Sequence, residues 1–391
     1  MTSRTAERER KMKIDSRFDD IRPYYDSEIP AAMKRIAEDD TFHILASYVF
    51  PGQDHESLKK MVSQIKTVKE FQGKIMWYVN DMVEKKSISS LSFEGIENLE
   101  ASKPYLFVSN HRDIMLDASL LQNKLFDNGF PTTQITFGAN LMTGQLIIDI
   151  GRSNKMFRVE RGGSPREFYM SSVHLSDYIR HVITECGESV WIAQRNGRTK
   201  DGNDATDQGI IKMFGISSRA DKISAIADLN IVPVSISYEW EPCDILKALE
   251  LYQSRSARYV KKPGEDLNSV LTGITQQKGQ VNISLGKPIL REDLEPLDSL
   301  TNIEYNKAVA ALLDKSILSR YMLYPNNFIA HDLRFGKKRY VSRYTPAQKA
   351  LFQARLSLLD GYDVEEPDVL RDIFLGIYSN PVDNCSRFQE L

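Results

Sequence analysis

The chain alternates between short apolar runs and longer segments with helical spacing. From residue 104 onward the runs are rich in β-branched and aromatic residues, which favour strands, whereas the segments between them, such as 168–185 and 207–229, carry apolar residues at helical intervals. The runs are YLFVS, QITFG, MFRVER, SVWIAQ, IVPVSISY and VNISLG. Strands that alternate with helices are typical of an α/β fold, so we expect a mixed, mostly parallel sheet flanked by helices.

The same patterns divide the chain into three parts. Residues 93–290 hold the alternating runs and are predicted to form one α/β domain. Residues 1–92 are predicted to form a polar tail and a helical region, and residues 291–391 a C-terminal helical region.

An amphipathic pattern precedes the predicted α/β domain. Between Leu58 and Met82, apolar residues recur at steps of three, four or seven, as they do along one face of a helix. The other face carries Lys59, Lys60, Lys66, Lys69 and Lys74. Such a helix either packs its apolar face on the protein core or lies on an anionic bilayer, and packing is the preferred interpretation.

The overall charge is nearly balanced, with 51 lysines and arginines against 53 acidic residues. This balance provides no general attraction for nucleic acid, so no nucleic-acid partner is expected and any anion site must be a local cluster. One local cluster is RFGKKRYVSRY, at 334–344, which has five basic residues and no acid. It is either a solvated face or a surface for anionic lipid or an acidic carrier protein.

The cysteines and the apolar runs indicate the compartment. Cys186, Cys243 and Cys385 have no paired spacing, which argues against a disulfide framework or a thiolate zinc site and suits a reducing compartment. The N-terminal sequence has no apolar stretch typical of a signal peptide, and the longest apolar run, AVAALL, is far shorter than the roughly 20 residues of a membrane-spanning helix. We expect a cytoplasmic protein without a transmembrane segment, with peripheral contact at the inner membrane left open.

A histidine and two aspartates follow the first predicted strand, in the sequence VSNHRDIMLDASLL. Ligands of α/β sheets bind beyond the carboxyl ends of strands, which is where this pattern places His111. Asn110 or Asp113 could simply cap the following helix, but capping does not explain the histidine. A neutral imidazole oriented by a carboxylate can take a proton from a hydroxyl. No G-x-S-x-G sequence provides a serine nucleophile, so the hydroxyl is expected to belong to the substrate.

Two further strand ends carry arginines. In FRVERGGSPREF, Arg158 and Arg161 precede a predicted helix whose N-cap is Ser164, with Pro165 at the first position and Glu167 completing a capping box. Guanidinium groups beside a helix start suit a phosphate, although pairing with a local acid such as Glu160 is an equally good explanation. The sequence WIAQRNGRTKDGND adds a second basic loop with Arg195, Arg198 and Lys200, so the two loops together suggest one anionic substrate.

In chain order, SNHRD with LD, FRVERGG, WIAQRNGR and IVPVSISY resemble the four sequence blocks of the glycerolipid acyltransferase superfamily, which includes glycerol-3-phosphate and lysophosphatidate acyltransferases. The resemblance spans residues 93–238, and the order and spacing of the blocks are more specific than any one of them. The sequence looks most like a soluble-looking bacterial branch whose first block reads NHRD followed by LD.

The resemblance implies a role for each block. His111 and Asp117 correspond to the catalytic histidine and aspartate, Arg161 to the arginine of the second block, Asn196-Gly197-Arg198 to the phosphate-binding loop, and Pro233 to the proline of the fourth block.

Two departures from the family pattern are present. Five residues separate His111 from Asp117, where the family usually has four, so Asp113 is the alternative orienting residue. Asn196 replaces the usual glutamate, and a neutral amide can neither accept a proton nor pair with an arginine as a carboxylate does.

The resemblance implies transfer of a fatty acyl group from acyl carrier protein or coenzyme A to a hydroxyl of a lysophospholipid-type acceptor, with lysophosphatidate as the expected acceptor, in bacterial membrane lipid synthesis. The expected substrate-binding residues are Arg158, Arg161, Asn196, Gly197 and Arg198. No metal or bound cofactor is implied, because the acyl thioester is a co-substrate. The alternatives are a non-catalytic protein that binds lipid or acyl carrier protein on the same scaffold, and a hydrolase. The amphipathic segment 58–82 and the basic cluster 334–343 are the expected docking surfaces for the membrane.

Overall fold

The computed structural model describes residues 15–256, 259–262 and 264–390. Within these ranges, seven strands form one sheet, and the predicted α/β fold is confirmed. The strands are β1 (Ile88–Glu94), β2 (Leu106–Ser109), β3 (Gln134–Gly138), β4 (Met156–Val159), β5 (Val190–Ala193), β6 (Ile231–Tyr238) and β7 (Gly279–Leu285). Their order is β1-β7-β6-β2-β5-β3-β4, and every neighbouring pair is parallel except β6 with β7. The sheet is therefore mixed and mostly parallel.

Helices cover the sheet and form both terminal regions. The α-helices are α1 (Ile29–Glu38), α2 (Phe42–Val49), α3 (His55–Ser63), α4 (Val68–Phe71), α5 (Trp77–Ser87), α6 (Leu116–Asp127), α7 (Gln145–Ser153), α8 (Pro165–Arg180), α9 (Gln208–Gly215), α10 (Lys222–Ala227), α11 (Asp244–Gln253), α12 (Glu265–Thr275), α13 (Arg291–Leu294), α14 (Asn302–Leu318), α15 (Pro325–Arg334), α16 (Pro346–Leu356) and α17 (Pro367–Cys385). Short π-helical segments, Gln72–Met76 and His181–Cys186, precede α5 and follow α8. None of the helices among the described residues combines the length and the apolar character needed to cross a membrane.

The central strands are buried on both faces. In β2, Leu106 and Val108 pack into one apolar core, whereas Phe107 packs into the other, as the two-residue period of a strand requires. All eight residues of β6 are buried as well. Such double burial is typical of parallel strands covered by helices, and it fixes the loop that follows β2 near the middle of the sheet.

Strand β1 was not predicted from the sequence. It lies at an edge of the sheet, and of its residues only Ile88 is buried. Serines occupy three of its positions, so the strand lacks the apolar run by which the other six were recognised. The sheet consequently begins at residue 88 instead of at the expected boundary of residue 93.

The amphipathic segment 58–82 is not one helix, and its apolar face is not free for a membrane. Helix α3 ends at Ser63, and α4 begins after Thr67, whose hydroxyl accepts a hydrogen bond from the backbone N–H of Glu70 at 3.1 Å. Leu58, Val62, Ile65, Val68 and Phe71 are buried in a core shared with α1. The packed arrangement, which the sequence pattern favoured, is therefore the one observed for the apolar face, whereas Lys60, Lys66, Lys69 and Lys74 are exposed.

The C-terminal helices pack directly against the α/β domain. Val309 and Leu313 of α14 are buried in the same core as β2, and α17 packs against α11 and α15. The basic cluster 334–344 lies on this region: Lys337, Lys338 and Arg339 are exposed, whereas Arg334 pairs with Asp372 at 3.0 Å.

Candidate active site

The loops after four strands line one cavity of about 290 Å³. His111 follows β2, Arg161 follows β4, and the segment 195–201 follows β5, while residues from the end of β3 complete the wall. Parallel strands bring their carboxyl ends to the same edge of a sheet, which is why residues so distant in the chain meet here. Three of the four sequence blocks therefore supply side chains to this one cavity.

His111 pairs with Asp117. The imidazole Nδ1 lies 2.8 Å from the carboxylate Oδ2, and the two residues are 6% and 0% exposed. Asp117 stands in the first turn of α6, and the extra residue of the spacing is absorbed in the irregular segment before Leu116. Because Nδ1–H donates to the carboxylate, Nε2 is the ring nitrogen left to accept a proton from a molecule in the cavity.

The Asp117 carboxylate is itself held by three further donors. Its Oδ2 accepts hydrogen bonds from the backbone N–H of Arg112 at 2.6 Å and of Asp113 at 3.0 Å. Its Oδ1 accepts one from the hydroxyl of Tyr238 at 2.8 Å. Burial and the Asp117 charge raise the pKa of Tyr238 well above its usual value, so this hydroxyl remains a donor. A carboxylate held by this many donors has a fixed orientation, which suits a group that orients an imidazole.

Asp113 caps the helix instead of contacting the imidazole. Its Oδ1 accepts hydrogen bonds from the backbone N–H groups of Met115 and Leu116, each at 2.9 Å, at the start of α6. Asn110 has a different position: its side chain bonds both the N–H and the C=O of Ile236, which ties the loop to β6. Both roles considered from the sequence are therefore present: Asp113 caps the helix, and Asp117 pairs with His111.

Arginines and lysines make the cavity basic. Among the described residues, the lining includes Arg161, Arg195, Arg198, Lys200 and Lys261, with Asp201 and Asp266 as the acids. The two lysines are paired with Glu250 and Asp266, respectively. The Nη1 atom of Arg198 is buried and has no hydrogen-bond partner in the described part of the chain. Because the Arg198 side chain lines the cavity together with Arg161 and Arg195, these guanidiniums can bind an anion there.

The predicted substrate residues separate into two groups. Arg161, Asn196, Gly197 and Arg198 line the cavity with His111, and Gly197 has a φ of +78°, a left-handed conformation that suits glycine. Arg158 does not line it. Its side chain points into a neighbouring groove and pairs with Glu160 at 2.7 Å, so local pairing is the observed arrangement for this arginine.

The neighbouring groove is larger and mainly apolar. It encloses about 410 Å³, and its apolar lining consists of Ile21, Val159, Phe168, Leu175, Ile192, Ala193, Ile210 and Met213. Thr136, Arg161, Ala193, Arg195 and Asn196 line both the groove and the polar cavity. A long apolar chain in the groove would therefore end beside the polar cavity that contains His111.

A buried ionic cluster, formed by Arg112, Asp204, Glu241 and Lys247, lies behind His111. Arg112 donates to Asp204 from Nη2 at 2.6 Å and from Nε at 3.1 Å, and to Glu241 at 3.3 Å. Lys247 donates to Glu241 at 2.6 Å and to the backbone C=O of Arg112 at 2.7 Å. All four residues are at most 6% exposed. The cluster therefore holds the backbone of Arg112, the residue after His111, in a fixed position.

Sequence reasoning missed several of these residues. The ionic cluster joins residues up to 135 positions apart, and neither Lys261 nor Asp266 belongs to a recognisable motif. Trp191, whose ring packs edge-on against the His111 imidazole at 5.8 Å, was recognised only as a strand residue. In the described ranges, no group of three or more His, Cys, Asp or Glu side chains is arranged to hold a metal ion.

Comparison with known proteins matches residues 90–237 to the family described as Acyltransferase. Glycerol-3-phosphate acyltransferase of Pseudomonas syringae pv. tomato is 26% identical over 224 residues, and that of Pseudomonas aeruginosa PAO1 is 26% identical over 219 residues. Each match covers 55% of this chain and 24% of the relative, so the matched segment spans about a quarter of these longer proteins. Among solved structures, 1-acyl-sn-glycerophosphate (LPA) acyltransferase PlsC from Thermotoga maritima aligns over 73% of this chain and 94% of its own, with a TM-score of 0.34 and 12% identity.

Proposed function

We propose that the chain is a member of the glycerolipid acyltransferase superfamily and that it transfers a fatty acyl group from a thioester to a hydroxyl of a lysophospholipid-type acceptor; the match of residues 90–237 to the family described as Acyltransferase supports this. The observation that carries the proposal is the His111–Asp117 pair at the wall of a basic cavity, next to an apolar groove. A proton acceptor, an anion site and an apolar channel are the three elements that this reaction needs.

The His111 imidazole acts as the general base. Nε2 takes the proton of the acceptor hydroxyl while the hydroxyl oxygen bonds to the thioester carbonyl carbon. The resulting tetrahedral intermediate collapses with cleavage of the carbon–sulfur bond, and the proton on Nε2 passes to the departing thiolate. Asp117 keeps Nε2 directed into the cavity and stabilises the imidazolium that exists between these two steps. No metal or bound cofactor takes part in this scheme.

The acceptor phosphate binds among Arg161, Arg195 and Arg198, where the N–H groups of the guanidiniums suit its oxygens. Asn196 and Gly197 shape the same loop. Asn196 leaves this wall without the negative charge that a glutamate would add, so the arginines remain available to the phosphate. Holding the phosphate fixes the distance between the hydroxyl, Nε2 and the thioester, and this positioning accounts for a large part of the rate. Lysophosphatidate has the required phosphate, hydroxyl and apolar chain.

The apolar groove accommodates a fatty acyl chain. Its volume of about 410 Å³ and its lining by Phe168, Leu175, Ile210 and Met213 suit a flexible hydrocarbon. The thioester then lies at the boundary between the groove and the polar cavity, near Asn196. The donor is an acyl carrier protein or a coenzyme A thioester, and we place the reaction in bacterial membrane lipid synthesis, at the cytoplasmic face of the inner membrane.

A transfer assay with radiolabelled acyl donors tests the proposal. The purified chain is given acyl carrier protein or coenzyme A thioesters with lysophosphatidate, glycerol 3-phosphate or an uncharged monoacylglycerol, and the labelled product is identified. We expect phosphatidate from lysophosphatidate, and loss of the activity in His111→Ala.

Three other outcomes would contradict the proposal. Free fatty acid without acceptor would indicate a hydrolase. Lipid binding without any transfer would indicate a non-catalytic binding protein. Equal use of the uncharged acceptor would remove the role of the arginines.

A further inference from the structure

The loop before helix α8 and the first turns of this helix lie at the surface of the molecule. Every residue from Arg161 to Met170 is exposed, and we call this segment the protruding end. It includes three consecutive large apolar residues, Phe168, Tyr169 and Met170, which are 47%, 52% and 59% exposed. A single exposed apolar residue needs no explanation, but three in succession on a projecting element indicate a surface that is covered in the working protein.

Within the protruding end, the first turn of α8 is capped. Ser164 accepts a hydrogen bond from the backbone N–H of Glu167, the Glu167 carboxylate accepts one from the backbone N–H of Ser164, and Pro165 occupies the first helical position. This capping box fixes the first turn of α8, so the apolar side chains are presented on an ordered helix.

The protruding end also borders the proposed substrate sites. Phe168 lines the apolar groove, and Arg161 lines both the groove and the polar cavity. The exposed apolar surface is therefore continuous with the groove, through the ring of Phe168. Whatever covers Tyr169 and Met170 lies at the entrance through which an apolar chain would reach the groove.

The charges at this place favour an anionic surface. Arg158, Arg161 and Arg166 lie within or next to the protruding end, whereas the acids there are already engaged: Glu160 pairs with Arg158, and Glu167 bonds the backbone N–H of Ser164. Aromatic rings and methionine beside arginines are the combination with which amphipathic helices enter the headgroup region of anionic bilayers.

We propose that the protruding end inserts into the surface of an anionic phospholipid bilayer, so that the apolar groove opens directly onto the membrane. This inference rests on the proposed function, because docking serves acyl transfer: an acceptor and acyl chains held in a bilayer would enter the groove without crossing water. The docking surface differs from the two expected from the sequence, since it lies at the site itself.

The test is a double variant, Tyr169→Asp with Met170→Asp, of the full chain. Neither residue lines the groove or the cavity, and both are exposed, so the fold should not change. Leu351→Asp, at a 64% exposed position of α16, is the matched control. Binding is measured by flotation with vesicles of equal parts phosphatidylcholine and phosphatidylglycerol, and with vesicles of phosphatidylcholine alone.

We expect the wild-type chain to float with the anionic vesicles. The affinity of the double variant for these vesicles should be lower by a factor of about ten or more, whereas that of Leu351→Asp should equal the wild-type affinity. Acyl transfer to lysophosphatidate embedded in vesicles should fall in parallel. Transfer to a short-chain lysophosphatidate below its micelle-forming concentration should be unchanged, which separates docking from chemistry.

Equal binding of wild type and double variant, or absence of wild-type binding to the anionic vesicles, would overturn the proposal. A dimer in solution that the double variant converts to a monomer would also overturn it, because a second copy would then cover the surface. If the vesicle results are as expected but no variant transfers an acyl group, the docking surface stands and the proposed function fails.

Discussion

Replacement of Asp204 by asparagine should destabilise the protein far more than the loss of a surface acid. The ionic cluster behind His111 is neutral as a whole, since Arg112 and Lys247 are balanced by Asp204 and Glu241. Asp204 is 6% exposed and accepts both Nε and Nη2 of Arg112. In Asp204→Asn the cluster acquires one uncompensated positive charge in a place that water does not reach.

The expected loss of stability is large because the remaining charge is buried. Removing one partner of a buried ion pair typically costs about 3–5 kcal/mol, against about 0–1 kcal/mol for an exposed pair. The matched exposed pair is Arg158 with Glu160, whose atoms are 2.7 Å apart but whose side chains are 47% and 42% exposed. We therefore expect about 3–5 kcal/mol for Asp204→Asn and less than about 1 kcal/mol for Glu160→Gln.

Urea unfolding, followed by circular dichroism, measures both losses. The double variant Arg112→Met with Asp204→Leu removes both charges, leaves Glu241 balanced by Lys247, and should be more stable than Asp204→Asn alone. The reasoning is refuted if Asp204→Asn and Glu160→Gln lose similar stability, or if the double variant is the least stable of the three.

Two further predictions concern the site, and a third concerns Lys278, a buried lysine that donates hydrogen bonds to the Ser87 hydroxyl and to the backbone C=O of Ile274. Asp117→Asn should lower kcat for acyl transfer by about 10²–10⁴-fold, because the imidazole loses the carboxylate that orients it. Asp113→Asn should retain most of kcat and should cost about 1 kcal/mol of folding stability, because it weakens the helix cap. Steady-state kinetics and urea unfolding measure the two effects, and a larger loss of kcat in Asp113→Asn than in Asp117→Asn would exclude the Asp117 assignment. Asn196→Glu should raise KM for a phosphate-bearing acceptor more than it changes kcat, because it adds a negative charge beside the cavity arginines; an unchanged KM would place the phosphate elsewhere. Burial lowers the pKa of Lys278 to about 8, against 10.5 for an ordinary lysine, so between these pH values the unfolded chain holds a proton that the folded chain has lost. Wild-type stability should therefore rise relative to that of Lys278→Met as the pH increases from 8 to 10.5, and a difference that does not vary with pH would contradict this.

Local sequence signals were sufficient to predict six of the seven strands in the described part of the chain, and to predict that His111 lies near the arginines. Six of the strands are short runs of β-branched and aromatic residues, and parallel strands necessarily bring their following loops to one edge of the sheet. The capping box at Ser164 was predictable for the same reason, since its donors and acceptors lie within three residues of each other. That Asp117, and not Asp113, contacts the imidazole depends on the path of the loop, which spacing alone left open.

Long-range and buried polar features were not predictable in this way. Lys247 and Glu241 look like ordinary surface charges in the sequence, because charged residues are normally exposed and their partner Arg112 is more than 100 residues away. The break at Gln64–Thr67 within the amphipathic segment could not be seen in the sequence. The helices on both sides of the break bury their apolar residues in one core, so the apolar residues keep helical spacing across the turn. Lys261 and Asp266 reach the cavity only through the fold of the segment before α12.

The buried ionic cluster also limits how far the chain can be shortened without disrupting the site. The family match ends at residue 237, yet Glu241 and Lys247 lie beyond it, and Glu241 is in turn tied to α17 by the hydrogen bond from its backbone N–H to the hydroxyl of Tyr378 at 3.1 Å. A shortened chain that stopped at the end of the match would retain His111 and Asp117 but would expose the Arg112 guanidinium and free the backbone that Lys247 holds. The segment that the family model matches is thus smaller than the segment that holds the site together, because the C-terminal helices support the residues beneath His111.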